Sequence, residues 1–434
     1  SVAVHGAALA GCEGDTRGSA LLGSGRALLG RSFKYHRPRG LVASGVEEPN
    51  VLVNLGRNAR LEPDQRATTT ELFEGAEAAS QNHWPSLDFD IGEINDKIGK
   101  LFPAGFYYKT FMAPKWAWKH LFEPVIRQAA GLGAAPKEAD PDRYEQTYAF
   151  CDVLVAGGGV AGLAAALAEA KAGKRVMVME QTAFWGGRAP VDGGTIDGLA
   201  PDEWISNAIE TLDKMETVQL FTRTMVSGLY NHGYVIGYQR VADHTPGDGR
   251  PRHRLWRIRA GLVITATGAL ERPLAFAGND VPGVMLASAV RDYFVNWAVS
   301  PGDRVVIVTN NDDAYRTALA VLDAGLSVPV VIDARDSVTG ALPMAVKARG
   351  VRVLEGRGVA RVLGRKAVTG VEICAQAGEG GVIETVACDC VAMSGGWSPV
   401  VHLFSHVGGK LIWDEAGAMF RPDATRPPIK ADGT

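Results

Sequence analysis

Gly157-Gly158-Gly159-Val160-Ala161-Gly162 stands between a short apolar run, Asp152 to Ala156, and an Ala-rich stretch, Val160 to Lys171. The pattern predicts a strand, a tight turn and a helix, and Arg175 to Met179 predicts the next strand of one βαβ unit. Gly157 suits the tight turn, Gly159 lets the backbone approach a pyrophosphate, and Gly162 lets helix and strand pack closely. The helix start offers free N–H groups and partial positive charge to phosphates. Glu180 ends the second strand, where a carboxylate can accept from ribose hydroxyls and repel a 2′-phosphate. NAD or FAD is therefore expected over NADP. In Trp185-Gly186-Gly187-Arg188, the Gly pair either lays a loop against the dinucleotide or makes an ordinary turn.

Composition places this unit in a larger chain. At 434 residues, two or three domains are expected. Hydrophobic residues are 46% and charged residues 21% of the chain, and the net charge is −3. These values exclude disordered, collagen-like and disulfide-dense classes, and a chain-wide polyanion binder. The 52 glycines suggest many tight turns and close backbone approaches. Cys12, Cys151, Cys374, Cys388 and Cys390 are an odd, scattered set, which argues for a reducing compartment, taken as cytoplasmic. Cys388-Asp389-Cys390 has no second pair at zinc spacing and reads as buried structure, so no metal ligands are assigned. The longest stretch without charged residues, Cys390 to Gly409, is broken by Pro399 and glycine pairs; no membrane span is expected. Leu9-Ala10-Gly11-Cys12 imitates a lipoprotein cleavage box but lacks a preceding basic region. The absence of an initiator Met and the late Pro427-Pro428 suggest a fragment of a longer protein.

The remaining sequence divides as follows. Residues 1–72 read as a small strand-rich unit, with a hairpin at His5-Gly6 and a short helix capped by Asp15-Thr16. Residues 73–150 read as a connector whose aromatics, among them Trp84, Phe89, Phe102, Phe106, Tyr107, Tyr108, Trp116 and Trp118, pack against other surfaces. Residues 151–270 and 380–434 form the first dinucleotide-binding domain. Residues 271–379 form an inserted domain with a second strand–helix–strand from Arg304 through Leu322 to Ile332. Its turn, Thr309-Asn310-Asn311-Asp312-Asp313-Ala314, carries side chains where three glycines would be needed, and two acids that would repel phosphate. Fold retention with lost cofactor binding is expected there. Val263-Ile264-Thr265-Ala266-Thr267-Gly268 resembles the strand end that flavoproteins with two dinucleotide domains, such as glutathione reductase, place beside the cofactor. Val391 to Trp397 offers a looser copy. No residue reads as a general base for C–H oxidation, so no catalytic residue is assigned. Between Asp15 and Glu47 lie six bases, Arg17, Arg26, Arg31, Lys34, Arg37 and Arg39, and no acid. Single-stranded nucleic acid, a solvated face and a subunit interface all fit such a run.

Gly14-Asp15-Thr16, Ala20-Leu21-Leu22, the run from Gly30 to Gly40, Glu48-Pro49-Asn50, Val281 to Ala287 and Ser394-Gly395-Gly396-Trp397 closely resemble alpha subunits of the heterotetrameric sarcosine oxidase family. Related subunits occur in N-methylglutamate, opine and proline dehydrogenases. The resemblance implies an α/β fold with two Rossmann-like dinucleotide-binding domains, glutathione-reductase-like, the second degenerate. A small ferredoxin-like β-grasp domain precedes them. Relatives holding a 2Fe–2S cluster have cysteines soon after the Pro-Arg-Gly, whereas Leu41 to Pro49 has none. Iron–sulfur clusters need thiolates, so an empty domain is expected.

The resemblance further implies a bacterial complex with beta, gamma and delta subunits. It demethylates sarcosine oxidatively to glycine, makes hydrogen peroxide and passes the one-carbon unit to tetrahydrofolate. FAD sits on the beta subunit, FMN between alpha and beta, and NAD in the alpha subunit. The NAD contacts implied here are Gly157, Gly159, Ala161, Gly162, Glu180, Gln181, Gly187, Arg188, Val226, Ala266, Thr267 and Gly268. The folate-binding half is outside this sequence. The basic run ranks first as a subunit interface, with Arg31, Lys34 and Arg37 expected to contact a partner or its flavin phosphate rather than nucleic acid. Two rivals remain: a stand-alone FAD-dependent NADH oxidoreductase, and a non-catalytic scaffold subunit of an N-methylglutamate or opine dehydrogenase.

Overall fold

The computed structural model describes residues 2–4, 7–9, 11–99, 105, 111, 113–129, 131–376 and 381–425. The expected turn at His5-Gly6, the aromatics Phe102, Phe106, Tyr107 and Tyr108, and Pro427-Pro428 lie outside the described residues. The chain forms two compact units, one of residues 142–272 and 396–434, the other of residues 1–141 and 273–395.

The first of these carries the fingerprint. Its sheet runs in the order Val218–Phe221, Val176–Met179, Tyr144–Ala156, His253–Thr265, Tyr234–Arg240, Thr224–Tyr230. The first four strands are mutually parallel and the last two antiparallel. Helices Val160–Lys171 and Pro201–Asp213 supply Leu163, Ala166, Ile205 and Leu212 to a core shared with Val153, Val155, Val176 and Val178. Leu154, Met177 and Met179 point to the other face and pack with Trp256, Ile258 and Leu403. Both faces are covered there, which is why Val176–Met179 is apolar at every position rather than alternating. The strand predicted to begin at Asp152 begins at Tyr144. The extra length pairs with His253–Thr265 from Tyr144↔His253 onward. One of its faces is open, with Tyr148 68% and Phe150 70% exposed, so it lacks the continuous apolar signature of a buried strand.

The other unit holds a parallel sheet in the order Val284–Leu286, Cys390–Ser394, Val305–Thr309, Val331–Asp333, Val353–Leu354. The helices Ala287–Trp297 and Asp313–Asp323 pack on it. The expected return to the first sheet near residue 380 is therefore corrected. Cys390–Ser394 is the second strand of this sheet, fully buried between Val284–Leu286 and Val305–Thr309, and the chain leaves the unit only after Gly395.

The N-terminal residues share this unit's core. Their sheet runs Ala7–Leu9, Val2–Val4, Glu77–Ser80, Leu52–Leu55, Glu62–Arg66. Thr16 caps helix Arg17–Gly23 reciprocally with Ser19, as the Asp15-Thr16 signal suggested. Leu21, Leu41, Val51 and Val53 belong to one apolar cluster with Leu286, Val290 and Tyr293. Leu286 N–H donates to Val42 O at 2.7 Å, and Trp297 Nε1 donates to Gly14 O at 3.1 Å. A boundary at residue 72 is corrected too: strand Glu77–Ser80 sits inside the N-terminal sheet. Of the connector aromatics, Trp84, Phe89 and Trp116 are about two-thirds exposed rather than packed.

The basic run proves heterogeneous. Arg31 has a fully buried side chain, with Nε and Nη2 donating to Leu87 O at 3.0 and 2.6 Å and Nη1 to His36 O at 3.1 Å. It cannot reach a partner, and the expectation for this residue is withdrawn. A buried guanidinium must spend its donors internally, and one of the two backbone carbonyls it uses is 56 residues away. Arg37 pairs with Asp96 at 2.6 Å and Arg39 with Asp280 at 2.6 Å.

Candidate functional site: a dinucleotide cradle

The turn after Tyr144–Ala156 is held on three sides by backbone. Gly157 N–H donates to Met179 O at 2.9 Å, and Gly157 sits at φ +111°. A Cβ at Gly157 would lie 2.2 Å from Ala266 O, so the end of strand His253–Thr265 presses directly on the turn. A Cβ at Gly162 would lie 1.9 Å from Gly157 O and 3.3 Å from Ala266 Cβ. Helix, turn and strand end therefore meet where no side chain fits.

Gly159 is different. The nearest atom to a Cβ there is Gly187 Cα at 4.0 Å. It precedes helix Val160–Lys171 with no side-chain cap bond, so the first turn's N–H groups are left to solvent or a ligand. The helix start is partly open, and Ala161 is exposed. Gly186 bridges to Gly159 in parallel fashion, and its N–H donates to Gly158 O at 2.8 Å. Gly187 lies in the left-handed region at φ +58°. The Gly186-Gly187 loop thus lies against the fingerprint turn.

Glu180 is buried, 6% exposed. Its Oε2 accepts from Gly158 N–H at 2.7 Å, and its Oε1 accepts from Thr182 N–H at 2.8 Å and Thr182 Oγ1–H at 2.9 Å. A carboxylate offers about four lone-pair sites, so these bonds orient it without using its full accepting capacity. The next chain segment is pinned alongside, with Arg223 N–H on Thr182 O and Thr224 N–H on Glu180 O, both at 2.7 Å. Val226 follows two residues later, half-buried on strand Thr224–Tyr230. Gln181 is exposed, and its carbonyl accepts from Arg240 Nη2 at 3.3 Å.

The remaining expected residues stand at the edge of this cluster. Thr267 Oγ1 donates to Val400 O at 2.6 Å, and Val400 N–H donates to Gly268 O at 2.9 Å. They fasten the strand end to the segment Trp397–Pro399, which pairs antiparallel with Ala269–Glu271. Arg188 pairs with Asp192 at 3.0 Å and lies over the Trp397 ring at 5.3 Å. Two contributors were missed in the sequence, Gly158 and Trp185. A Cβ at Gly158 would lie 2.4 Å from the Trp185 ring, so the middle glycine is needed because the indole covers it. The signal was present: a large aromatic directly ahead of a Gly pair.

The degenerate turn in the other unit is filled by its own side chains. Asn311 Oδ1 accepts from Asp313 N–H at 3.1 Å, and Asn311 Nδ2 donates to Ser394 O at 3.3 Å. Asp312 and Asp333 both hold Arg335 at 2.8 Å, and Tyr315 OH donates to Asp333 at 2.8 Å. The strand end at Ser394, expected as a second copy beside the cofactor, serves this closed turn instead.

Comparison with known proteins gives two family matches. Residues 1–83 match the family described as 2Fe-2S iron-sulfur cluster binding domain, and residues 151–424 match Pyridine nucleotide-disulphide oxidoreductase. The fold is thus α/β with a ferredoxin-type N-terminal region, as expected. The chain is similar to sarcosine oxidase subunit alpha of Rhizobium meliloti (strain 1021), 46% identical over 97% of this chain and 42% of that protein. It is also similar to sarcosine oxidase subunit alpha of Corynebacterium sp. (strain P-1), 36% identical over 97% of this chain and 40% of that protein. The chain therefore spans about two-fifths of the length of these relatives. Among solved structures, L-proline dehydrogenase from P. horikoshii shares the fold with a TM-score of 0.62 at 19% identity, covering 97% of this chain and 64% of that one. No helix among the described residues is long and apolar enough to cross a membrane.

Proposed function

The chain belongs to the pyridine nucleotide-disulphide oxidoreductase family, and we propose that it is the NAD-holding portion of an alpha subunit of the sarcosine oxidase type. The whole assembly would oxidise sarcosine, a CH–NH substrate, to glycine, with hydrogen peroxide and 5,10-methylenetetrahydrofolate as further products. Amine oxidation would take place on a beta subunit carrying FAD, with FMN at the interface and gamma and delta subunits completing a cytoplasmic complex. The folate step would belong to residues outside this sequence.

What supports the dinucleotide reading most is Gly159. It is the one fingerprint glycine whose missing Cβ leaves open space, 4.0 Å from the nearest atom, beside an uncapped helix start. The fingerprint residues fit a pyrophosphate there: Gly159, Ala161 and Gly162 would present N–H groups, and Glu180 would orient a ribose. Gln181, Gly187, Arg188, Val226, Ala266, Thr267 and Gly268 would line the remainder. A bound nicotinamide or flavin supplies a two-electron acceptor; this chain's residues bind and position it. The filled turn around Asn311, Asp312 and Arg335 favours one dinucleotide per chain over the FAD-plus-NADH rival. Mass spectrometry of nucleotide released from the purified chain tests the proposal. NAD is expected. FAD would favour the rival, and no nucleotide at all would overturn the proposal.

A further inference from the structure

The N-terminal match to a cluster-binding domain covers residues 1–83, but the residues present do not fit a cluster. Plant-type 2Fe–2S loops space their ligands as C-x4-C-x2-C, with a fourth cysteine further on. In the loop after Gly40, that spacing falls on Ala43, Glu48 and Val51. None is a thiolate, and Ala43 and Val51 are apolar and buried to 1% exposure or less.

Glu48 itself is 1% exposed. Its Oε2 accepts from Val42 N–H and Ala43 N–H, both at 2.8 Å. Its Oε1 accepts from Asn50 N–H at 2.8 Å and Val51 N–H at 3.2 Å. Four backbone donors from both limbs of one loop converge on a single anion. Concavities of this kind, made of successive backbone N–H groups, hold phosphates and iron–sulfur centres. A buried carboxylate is tolerated when it is hydrogen-bonded this fully. Thr68, 3% exposed, reaches the same loop through Oγ1–H on Gly45 O at 2.7 Å, which makes it the candidate fourth position.

The outer side of the loop is equally committed. Val42 O accepts from Leu286 N–H at 2.7 Å, Ala43 O accepts from Tyr293 OH at 3.3 Å, and Ser44 Oγ donates to Asp292 Oδ2 at 2.6 Å. The loop thus supports the first strand and helix of the sheet that begins at Val284.

We propose that the Glu48 carboxylate stands where a 2Fe–2S cluster would otherwise organise this loop, turning an electron-transfer lobe into a static support for the Val284–Trp297 strand and helix. Burial pushes the Glu48 carboxyl above its ordinary range, while the four N–H donors pull it down. Among the described residues, the hydrogen bonds to this carboxylate come from these four backbone N–H groups.

The test uses the full chain. Residue-resolved hydrogen exchange of the wild type is expected to find the amides of Val42, Ala43, Asn50 and Val51 protected. In Glu48→Gln, whose amide group would face two of the donors, these amides should exchange about ten- to a hundredfold faster, the factor implied by losing a hydrogen bond to a charged group. Unprotected amides in the wild type, or unchanged protection in the variant, would overturn the proposal. Wild-type chain incubated anaerobically with ferric iron and sulfide should take up neither; stoichiometric uptake would also overturn it. The variant A43C/E48C/V51C/T68C, treated identically, should gain the visible absorption of an oxidised 2Fe–2S centre and, after reduction with dithionite, its paramagnetic signal. A folded quadruple variant that binds no iron would place the cluster position elsewhere and sink the assignment of Glu48.

Discussion

Glu180 Oε2 accepts the Gly158 N–H at 2.7 Å, so the acid at the end of one strand holds the turn at the end of its neighbour. The usual picture gives this acid to the ribose alone. Here the same carboxylate shapes the glycine turn from inside, and the Trp185 ring covers Gly158. Turn and acid are thereby one hydrogen-bonded piece.

Glu180→Ala is expected to weaken nucleotide retention by roughly 1–3 kcal/mol, the range for losing a hydrogen bond to a charged group. It should also lower the unfolding midpoint, because the buried Gly158 N–H loses its acceptor. Nucleotide content after gel filtration measures the first effect and thermal unfolding the second. Unchanged nucleotide content alongside a lowered midpoint would leave Glu180 a structural acid and remove it from the ribose.

Gly159 and Gly162 should separate binding from folding. A Cβ at Gly162 lies 1.9 Å from Gly157 O, a backbone atom that cannot swing aside. Gly162→Ala should therefore destabilise the chain by about 1–3 kcal/mol as an overpacked site. At Gly159 the space is open and φ is −70°. Gly159→Ala should fold normally and lose nucleotide, since its methyl occupies the approach of the pyrophosphate. A variant that both folds and keeps its nucleotide would mean that the phosphates lie elsewhere.

The first βαβ unit was legible because its demands are local. A glycine at each contact, a continuous apolar strand and an acid at the next strand end all fall within about 30 residues, the size of one such unit. What escaped was non-local. Cys390–Ser394 has the composition of any buried parallel strand, and only its partners Val305–Thr309 and Val284–Leu286 decide which sheet owns it. Tyr144–Phe150 has one open face and so shows no apolar run. Arg31 was read as surface charge because two of its acceptors are main-chain carbonyls, and neither Leu87 nor His36 announces that in the sequence. Glu48 lay in plain view inside Glu47-Glu48-Pro49, but hydrogen bonds from four backbone N–H groups leave no mark in the sequence.

Thiol reactivity checks the buried sheet. Burial, with Asp389 alongside, pushes the Cys388 thiol up to about 12, and burial lifts Cys151 to about 11. Cys390, on the innermost face, is raised further still. At pH 8 a thiol at about 12 is ionised on the order of one part in ten thousand, and the thiolate is the nucleophile. Cys12 is exposed, whereas Cys374 is buried. Native chain at pH 8 should release one equivalent of thiolate from an aromatic disulfide reagent quickly, and all five only on unfolding. Raising the pH toward 11 should bring Cys151 in before Cys388. Rapid native labelling of Cys388 or Cys390 would show that the Cys390–Ser394 strand opens on its own.

The basic run calls for a sharper test than charge reversal of Arg31, Lys34 and Arg37 together. The Arg31 side chain is fully buried and spends its donors on Leu87 O and His36 O, with Glu93 at 3.3 Å. Removing it takes the two Arg31 donors from Leu87 O and one of the two arginines from Glu93, which keeps Arg365. Arg31→Ala should cost about 2–5 kcal/mol, in line with breaking a buried, hydrogen-bonded charge network. Arg37, 47% exposed, is paired with Asp96, itself 38% exposed, and such surface pairs contribute about 1 kcal/mol or less. Lys34 lies over the Tyr35 ring at 4.9 Å beside exposed Phe33. The double change Lys34→Glu/Arg37→Glu should therefore unfold at nearly the wild-type denaturant midpoint. If that surface meets the flavin-bearing subunit, the double variant should fail to co-purify with it while retaining nucleotide. Normal co-purification would remove the basic run from the interface. An unfolding midpoint lowered as far as that of Arg31→Ala would show instead that Lys34 and Arg37 belong to the fold.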